Sequence, residues 1–204
     1  ESSAASDVYK RQTFTLLVDA SASMIDKMDE TIKGVVLFHE TLKSLNVKHE
    51  VLAFNEDAFE ADDKTQPNII DEIIDYNYST GSKDSPRIME LTPQDDNRDG
   101  VAIRLASERL LNRPHHQRFL IIFSDGEPSA YNYDQDGIID TYEAVEEARK
   151  YGIEVFNVFL SQEEITEDIE RTIHNIYGQF ALFVEGVENL PSQLSVSYTH
   201  LTLP

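Results

Sequence analysis

The chain alternates short apolar runs with stretches in which apolar residues return every three or four positions. The runs Phe14–Val18 and Phe119–Phe123 are almost continuously apolar, which is typical of strands buried on both faces of a parallel sheet. The stretch Glu167–Tyr177 has the spacing of an amphipathic helix and is followed by Gly178, a common residue after a helix end. This alternation predicts an α/β domain, with a doubly wound, mainly parallel sheet flanked by helices.

The same pattern gives approximate positions for the other elements. Further strands are predicted at Val51–Phe54, Ile153–Leu160 and Phe180–Val184. Further helices are predicted from Met24 to Leu45, over Gly100–Leu111 and Thr141–Tyr151, and from Glu188 onward. The polar stretch Asn55–Gln94 is too long for a plain loop. We predict that part of it is helical, around Ile69, Ile70, Ile73 and Ile74.

The two ends of the chain do not resemble natural protein sequence. Back-translation of residues 2–12 gives DNA whose opposite strand, in a shifted frame, encodes residues 196–204. That DNA resembles a transposon-type sequencing adapter. We therefore expect residues 1–12 and 196–204 to be non-native and set them aside in reasoning about the fold. The domain is expected over residues 13–195, as a fragment of a longer gene with its last helix truncated.

Composition narrows the classes of function. The chain has 38 acidic and 17 basic residues and a formal charge of −21, so we do not expect it to bind the phosphate backbone of a nucleic acid. It has no cysteine, which excludes disulfides and thiolate metal sites and favours a reducing compartment. No apolar run approaches the roughly 20 residues of a membrane-spanning helix.

Polar residues follow the predicted strands where a ligand would be expected. The first strand continues into Asp-Ala-Ser-Ala-Ser, the strand ending at Phe123 continues into Ser-Asp-Gly, and Asn-Arg-Asp-Gly precedes the helix between them. Ligands of open α/β sheets bind outside the carboxyl ends of the strands. One such loop would suggest only a turn or a helix cap, but three together favour a metal site. All the candidate ligands are oxygen atoms, with no histidine or cysteine among them, and such a ligand set suits Mg²⁺ or Mn²⁺. The candidate ligands are Asp19, Ser21, Ser23, Asn97, Asp99 and Asp125.

These segments resemble the metal-ion-dependent adhesion site of von Willebrand factor A (vWA) domains, a Rossmann-like fold, and the resemblance covers Thr13–Ser195. It implies that Ser21 and Ser23 bind the metal directly. It also implies that Asp19 and Asp125 act mainly through bound water, and that a carboxylate of a protein partner often completes the octahedron.

The second loop departs from the family pattern. Asn97 stands where the family usually has a threonine, and Asp99 is the alternative ligand.

Within that family, the segments 97–104, 108–114 and 124–128 resemble a subgroup that includes the T subunit of aerobic cobaltochelatase and the nitric oxide reductase activation protein. Members of this subgroup work in the bacterial cytoplasm beside AAA+ ATPases of the MoxR or chelatase type. The resemblance implies a non-catalytic, Mg²⁺-dependent module that binds such an ATPase. The alternative is a subunit of a cobalt or magnesium chelatase in tetrapyrrole (cobalamin) biosynthesis. An extracellular adhesion domain is disfavoured by these segments.

A second motif, Asn132–Glu143, has the spacing of an EF-hand calcium loop, with Gly137 in the sixth position. The asparagine in the first position and the lack of an entering helix count against Ca²⁺. The alternative is a surface loop in which Asp140 caps the next helix.

Two kinds of catalysis are not expected. There is no glycine-rich phosphate loop, so we do not expect the chain to be the ATPase itself. Ser124 and Asp125 have no nearby histidine for nucleophilic catalysis. We therefore do not expect an enzyme.

Overall fold

A six-stranded sheet forms the centre of the protein in the computed structural model, which describes residues 11–81, 83–114 and 117–193. The strands lie in the order β3-β2-β1-β4-β5-β6, and all neighbours are parallel except β2 and β3. This confirms the doubly wound, mainly parallel sheet. The strands are β1 (Gln12–Asp19), β2 (Lys48–Glu56), β3 (Asn68–Ile74), β4 (Gln117–Phe123), β5 (Ile153–Ser161) and β6 (Ala181–Glu185).

Helices cover both faces of this sheet. In the described ranges they are α1 (Met28–Ser44), α2 (Ser85–Ile88), α3 (Asp99–Leu111), α4 (Asp134–Lys150) and α5 (Glu167–Tyr177), with 3₁₀ turns at Ala22–Met24, Gly178–Phe180 and Val187–Asn189. Residues 190–193 are helical, as expected for a helix that begins near Glu188. None of the described helices has both the length and the apolar character needed to cross a membrane.

The apolar run of β1 is divided between two cores. Leu16 and Val18 pack with Val35 of α1 on one face of the sheet, whereas Leu17 packs with Ile103 of α3 on the other face. Successive side chains of a strand point to opposite faces, so a strand covered by helices on both sides is apolar at nearly every position.

The expected helix around Ile69–Ile74 is wrong. These residues form β3, which pairs antiparallel with β2 at the edge of the sheet. Asp71 and Glu72 are exposed in the middle of the strand, while Ile74 is buried. A short apolar pattern is compatible with either a helix or a strand. The β-branched isoleucines favour a strand, and hydrogen bonding to β2 stabilises it.

The segment Asn132–Glu143 forms neither a calcium loop, which the sequence disfavoured, nor the surface loop that was the alternative. Helix α4 begins at Asp134, so most of the segment Asn132–Glu143 is helical and cannot wrap its side chains around one ion. Asp140 does not cap a helix, because it lies inside α4, where it accepts a hydrogen bond from the Tyr133 hydroxyl and pairs with Arg104 at 2.8 Å.

The strand order reverses between β1 and β4, which are direct neighbours in the centre of the sheet. Crevices at such a reversal are the usual ligand sites of open α/β sheets. The carboxyl ends of β1 and β4 therefore lie side by side, with Asp19 as the last residue of β1 and Asp125 two residues after the end of β4.

Candidate metal centre

Asp19 ends β1 and organises the loop that follows it. Its side chain is fully buried, and its Oδ1 accepts a hydrogen bond of 2.9 Å from the backbone N–H of Ser21. This bond turns the chain so that the hydroxyl oxygens of Ser21 and Ser23 lie 3.1 Å apart. Ser21 is buried, whereas Ser23 is only half-buried. The two hydroxyls therefore form a pair above a buried carboxylate.

Ser124 connects this first loop with the other two. Its hydroxyl lies 3.2 Å from Asp19 Oδ2 and 3.1 Å from Asp99 Oδ2, and it donates its single hydrogen to one of them. The same oxygen accepts from the backbone N–H of Gly126 at 3.1 Å. The Ser124 hydroxyl was not among the predicted site residues, although it lies inside the Ser-Asp-Gly turn that pointed to the site.

Asn97 has a different orientation from the one a metal ligand needs. Its side-chain oxygen accepts a 2.9 Å hydrogen bond from the backbone N–H of Ser129. Its amide nitrogen lies 3.2 Å from Asp19 Oδ2 and 2.6 Å from Asp99 Oδ1. Rotating the amide by 180° would put its NH₂ group against the N–H of Ser129, so the hydrogen bonds determine which end is oxygen. Asn97 thus donates to the carboxylates.

Three carboxylates share this buried region. Asp19 and Asp99 are fully buried and Asp125 is 2% exposed. Burial, followed by repulsion from Asp99 and Asp125, raises the pKa of Asp19 well above its usual range. Burial, followed by repulsion from Asp125, raises the pKa of Asp99 to about 7. Negative charge in this region therefore requires a cation for stability.

Lys27 supplies one positive charge beside the site. Its Nζ lies 3.3 Å from Asp125 Oδ2. Burial alone would lower the pKa of Lys27, but Asp125 and Asp26 outweigh burial and raise it, so the side chain stays charged. No sequence motif predicted this contact, because it joins residues that are 98 positions apart.

The donor set fits a hard divalent cation. Two neighbouring ligands of an octahedral Mg²⁺ lie about 3 Å apart when each bond is about 2.1 Å, and the Ser21 and Ser23 hydroxyls are 3.1 Å apart. No three His, Cys, Asp or Glu side chains within the described ranges are grouped closely enough to hold a metal by themselves. A metal here would therefore need the serine hydroxyls, with the carboxylates acting from further away.

Arg98 holds the second and third loops together. It pairs with the buried carboxylate of Glu56, donates to the backbone oxygen of Tyr131, and places its guanidinium 4.4 Å from the centre of the Tyr133 ring. Its neighbours in sequence are Asn97 and Asp99, so these contacts help to position both. Arg98 lies within the Asn-Arg-Asp-Gly motif of the second loop, but it was not among the predicted site residues.

The chain is similar to one known domain family and to several known proteins. The von Willebrand factor type A domain matches residues 14–194. The uncharacterized protein YojO of Bacillus subtilis (strain 168) is 55% identical over 181 residues, covering 89% of this chain and 28% of that protein. Protein NorD of Stutzerimonas stutzeri is 28% identical over 138 residues, covering 67% of this chain and 22% of that protein. The chain spans under a third of the length of both relatives.

The fold is also similar to solved structures. The manganese-loaded TRAP protein of Plasmodium vivax superposes with a TM-score of 0.66 at 15% sequence identity, covering 93% of this chain and 74% of that chain. At this identity the likeness concerns the fold alone.

Proposed function

The chain belongs to the von Willebrand factor type A domain family, and we propose that it is a non-catalytic module that binds a protein partner through Mg²⁺ or Mn²⁺. The observation that carries this proposal is the Ser21–Ser23 hydroxyl pair, whose 3.1 Å separation suits two neighbouring ligands of an octahedral ion. The buried carboxylates behind the pair supply the negative charge that would attract that ion.

In this proposal the residues have separate roles. Ser21 and Ser23 provide neutral hydroxyl oxygens as direct ligands. The carboxylates of Asp19, Asp99 and Asp125 provide negative charge close to the ion without binding it directly. Asp19 also holds the first loop in shape through the N–H of Ser21. A bound divalent ion would supply an electrophilic centre for an external carboxylate. Since the direct ligands are mostly neutral, such a centre keeps its attraction for outside negative charge.

The proposed partner is a protein that presents an Asp or Glu, namely a MoxR-type AAA+ ATPase in the cytoplasm. Two similarities support the proposal. NorD is similar over most of the chain, in agreement with the subgroup that the motifs resemble. TRAP, which has the same fold, has been solved with manganese. The chain spans under a third of the length of these relatives. The function of the whole protein is therefore also a proposal.

Titration calorimetry with MgCl₂ and MnCl₂ tests the metal site. The unaltered protein should give one binding event, which Ser21→Ala and Asp19→Ala should abolish. Ser44→Ala is the matched control, because its hydroxyl is exposed and bonds only the Thr41 carbonyl of its own helix. Unchanged isotherms for both site variants, in proteins that melt cooperatively, would rule out this metal site.

A pull-down with a MoxR-type AAA+ ATPase from the same organism tests the partner. Binding should be lost in EDTA, restored by excess Mg²⁺, and lost in Ser23→Ala. If binding survives both chelation and Ser23→Ala, the partner does not bind through the metal.

A further inference from the structure

Lys27, the residue before the first residue of α1, is surrounded by oxygen atoms. Its Nζ lies 3.0 Å from the carbonyl oxygen of Ser23, 3.3 Å from Asp125 Oδ2 and 3.2 Å from Asp26 Oδ1. An ammonium group has three N–H donors, so these three oxygens can use all of them. Two of the oxygens belong to the first and third loops of the candidate metal site.

The lysines Lys33 and Lys43 inside α1 make local contacts instead. Lys33 and Lys43 each pair with a glutamate three residues away on the same helix, and their side chains are 53% and 27% exposed. Lys27 is 17% exposed, and it contacts a carboxylate that is 98 residues away in sequence. Its charge is therefore directed at the site.

We propose that Lys27 is a built-in counter-cation of the metal site, which stabilises Asp125 when the metal is absent and competes with the metal for that carboxylate. This inference rests on the proposed function, because it concerns the same site. The inference adds that Lys27 lowers the affinity of the site for the metal, a point on which the proposed function makes no statement.

The reasoning is electrostatic. A buried carboxylate without a positive neighbour is strongly destabilising, and Asp125 is only 2% exposed. Lys27 places a positive charge 3.3 Å from that carboxylate. A divalent ion near Asp125 would repel the ammonium at short range. Its binding therefore has to displace the Lys27 ammonium from Asp125 or tolerate the repulsion, and either outcome lowers the affinity for the ion.

Displacement is structurally feasible. The lysine side chain is long and flexible, and Asp26, its third oxygen partner, is 67% exposed. The ammonium can therefore move toward solvent while keeping one carboxylate contact.

The test compares three variants in metal-free melting and in Mg²⁺ titration. Lys27→Met removes the charge and the hydrogen bonds, and Lys27→Gln removes the charge while keeping an N–H donor. Lys43→Met removes one charge from the far end of α1. We expect both Lys27 variants to melt at a lower temperature without metal, yet to bind Mg²⁺ roughly tenfold more tightly. Lys43→Met should leave both properties nearly unchanged.

The outcomes separate this inference from the proposed function. If the unaltered protein binds Mg²⁺ and the Lys27 variants bind it equally or more weakly, Lys27 is purely structural and the inference is wrong. An equal gain in affinity in Lys43→Met would assign the effect to overall charge and also overturn it. If no protein in the set binds Mg²⁺, the metal-binding function is wrong and the inference fails with it. Should Lys27→Met not fold without metal, Lys27→Gln decides.

Discussion

The side-chain amide nitrogen of Asn97 donates a 2.6 Å hydrogen bond to Asp99 Oδ1. The other end of the amide is occupied by the backbone N–H of Ser129. Asn97 is therefore a neutral donor that separates the carboxylates of Asp99 and Asp19, and its oxygen faces away from them. Of the two second-loop candidates, we favour Asp99 as the residue that acts on the metal.

Replacing this donor by a carboxylate should make the protein dependent on metal. Asn97→Asp puts a further negative charge beside Asp19 and Asp99 and removes their shared hydrogen bond. In EDTA we expect a loss of about 3 kcal/mol in the free energy of unfolding, with part of it recovered in saturating Mg²⁺. Urea denaturation in both conditions measures this. Asn77→Asp is the control, since Asn77 is exposed; equal losses in the two variants would contradict the role given to Asn97.

Gly100 should not tolerate a side chain, because a Cβ there would lie 2.0 Å from Asp140 Oδ2 and 2.9 Å from the Tyr133 hydroxyl. Asp140 cannot move away freely, since Tyr133 and Arg104 hold it. Gly100→Ala should therefore destabilise the protein by about 1–3 kcal/mol through overpacking, although alanine is the better helix former.

The control is Gly81→Ala, where a Cβ would meet no atom within 4 Å and where we expect a change within about 0.5 kcal/mol. Thermal melting of the two variants checks both values. A Gly100→Ala protein as stable as the Gly81→Ala protein would show that the contact with Asp140 is not constraining.

The buried pair His39 and His49 should make stability depend on pH. His49 Nδ1 donates to the carbonyl oxygen of Val47 at 2.8 Å, so in the neutral His49 ring Nε2 accepts from His39 Nδ1 at 2.7 Å. Burial lowers the pKa of His49 to about 4 and also lowers that of His39. The unfolded chain, with a histidine pKa of about 6.5, then binds more protons than the folded protein below that pH.

The contribution of His49 to stability is therefore fully present above about pH 6.5 and is lost as the pH falls toward 4, by on the order of 2 kcal/mol between about pH 7.5 and about pH 5. The raised pKa of Asp99 acts in the opposite direction, since the folded protein binds that proton more tightly. The measurement is thus the difference between the unaltered protein and His49→Gln in urea denaturation at the two pH values. A slope unchanged by the substitution would contradict the prediction.

Residues 1–12 and 196–204 are predicted to be non-native, but Gln12 is the first residue of β1. Removal of residues 1–11 and 196–204, which keeps Gln12, should therefore leave the fold unaffected. We expect a melting temperature within about 2–4 °C of the full chain, the shift that one kcal/mol produces at this size. A second deletion that also removes Gln12 and Thr13 should lower it further, because Thr13 is fully buried and both residues pair with β4. A large loss from the shorter deletion would show that the ends contribute to the fold.

The sequence by itself determined the alternation of elements, the buried central strands and the loops that carry the candidate ligands. These features are local: a strand buried on both faces needs an unbroken apolar run such as Leu16–Val18, and a change to Asp or Ser marks its end. Because parallel strands end at the same edge, Asp19 and Asp125 could be placed together before any contact was known. Their function as a metal site is still a prediction.

Only the tertiary structure decided how the polar groups are arranged. Residues Ile69–Ile74 form a strand because they can pair with the unpaired edge of β2. The first turns of α4 lie in a segment whose residue spacing resembles a calcium loop. The orientation of Asn97 and the contact of Lys27 with Asp125 depend on atoms far away in sequence. Periodicity reports which residues are buried, but it contains no information on which donor faces which acceptor.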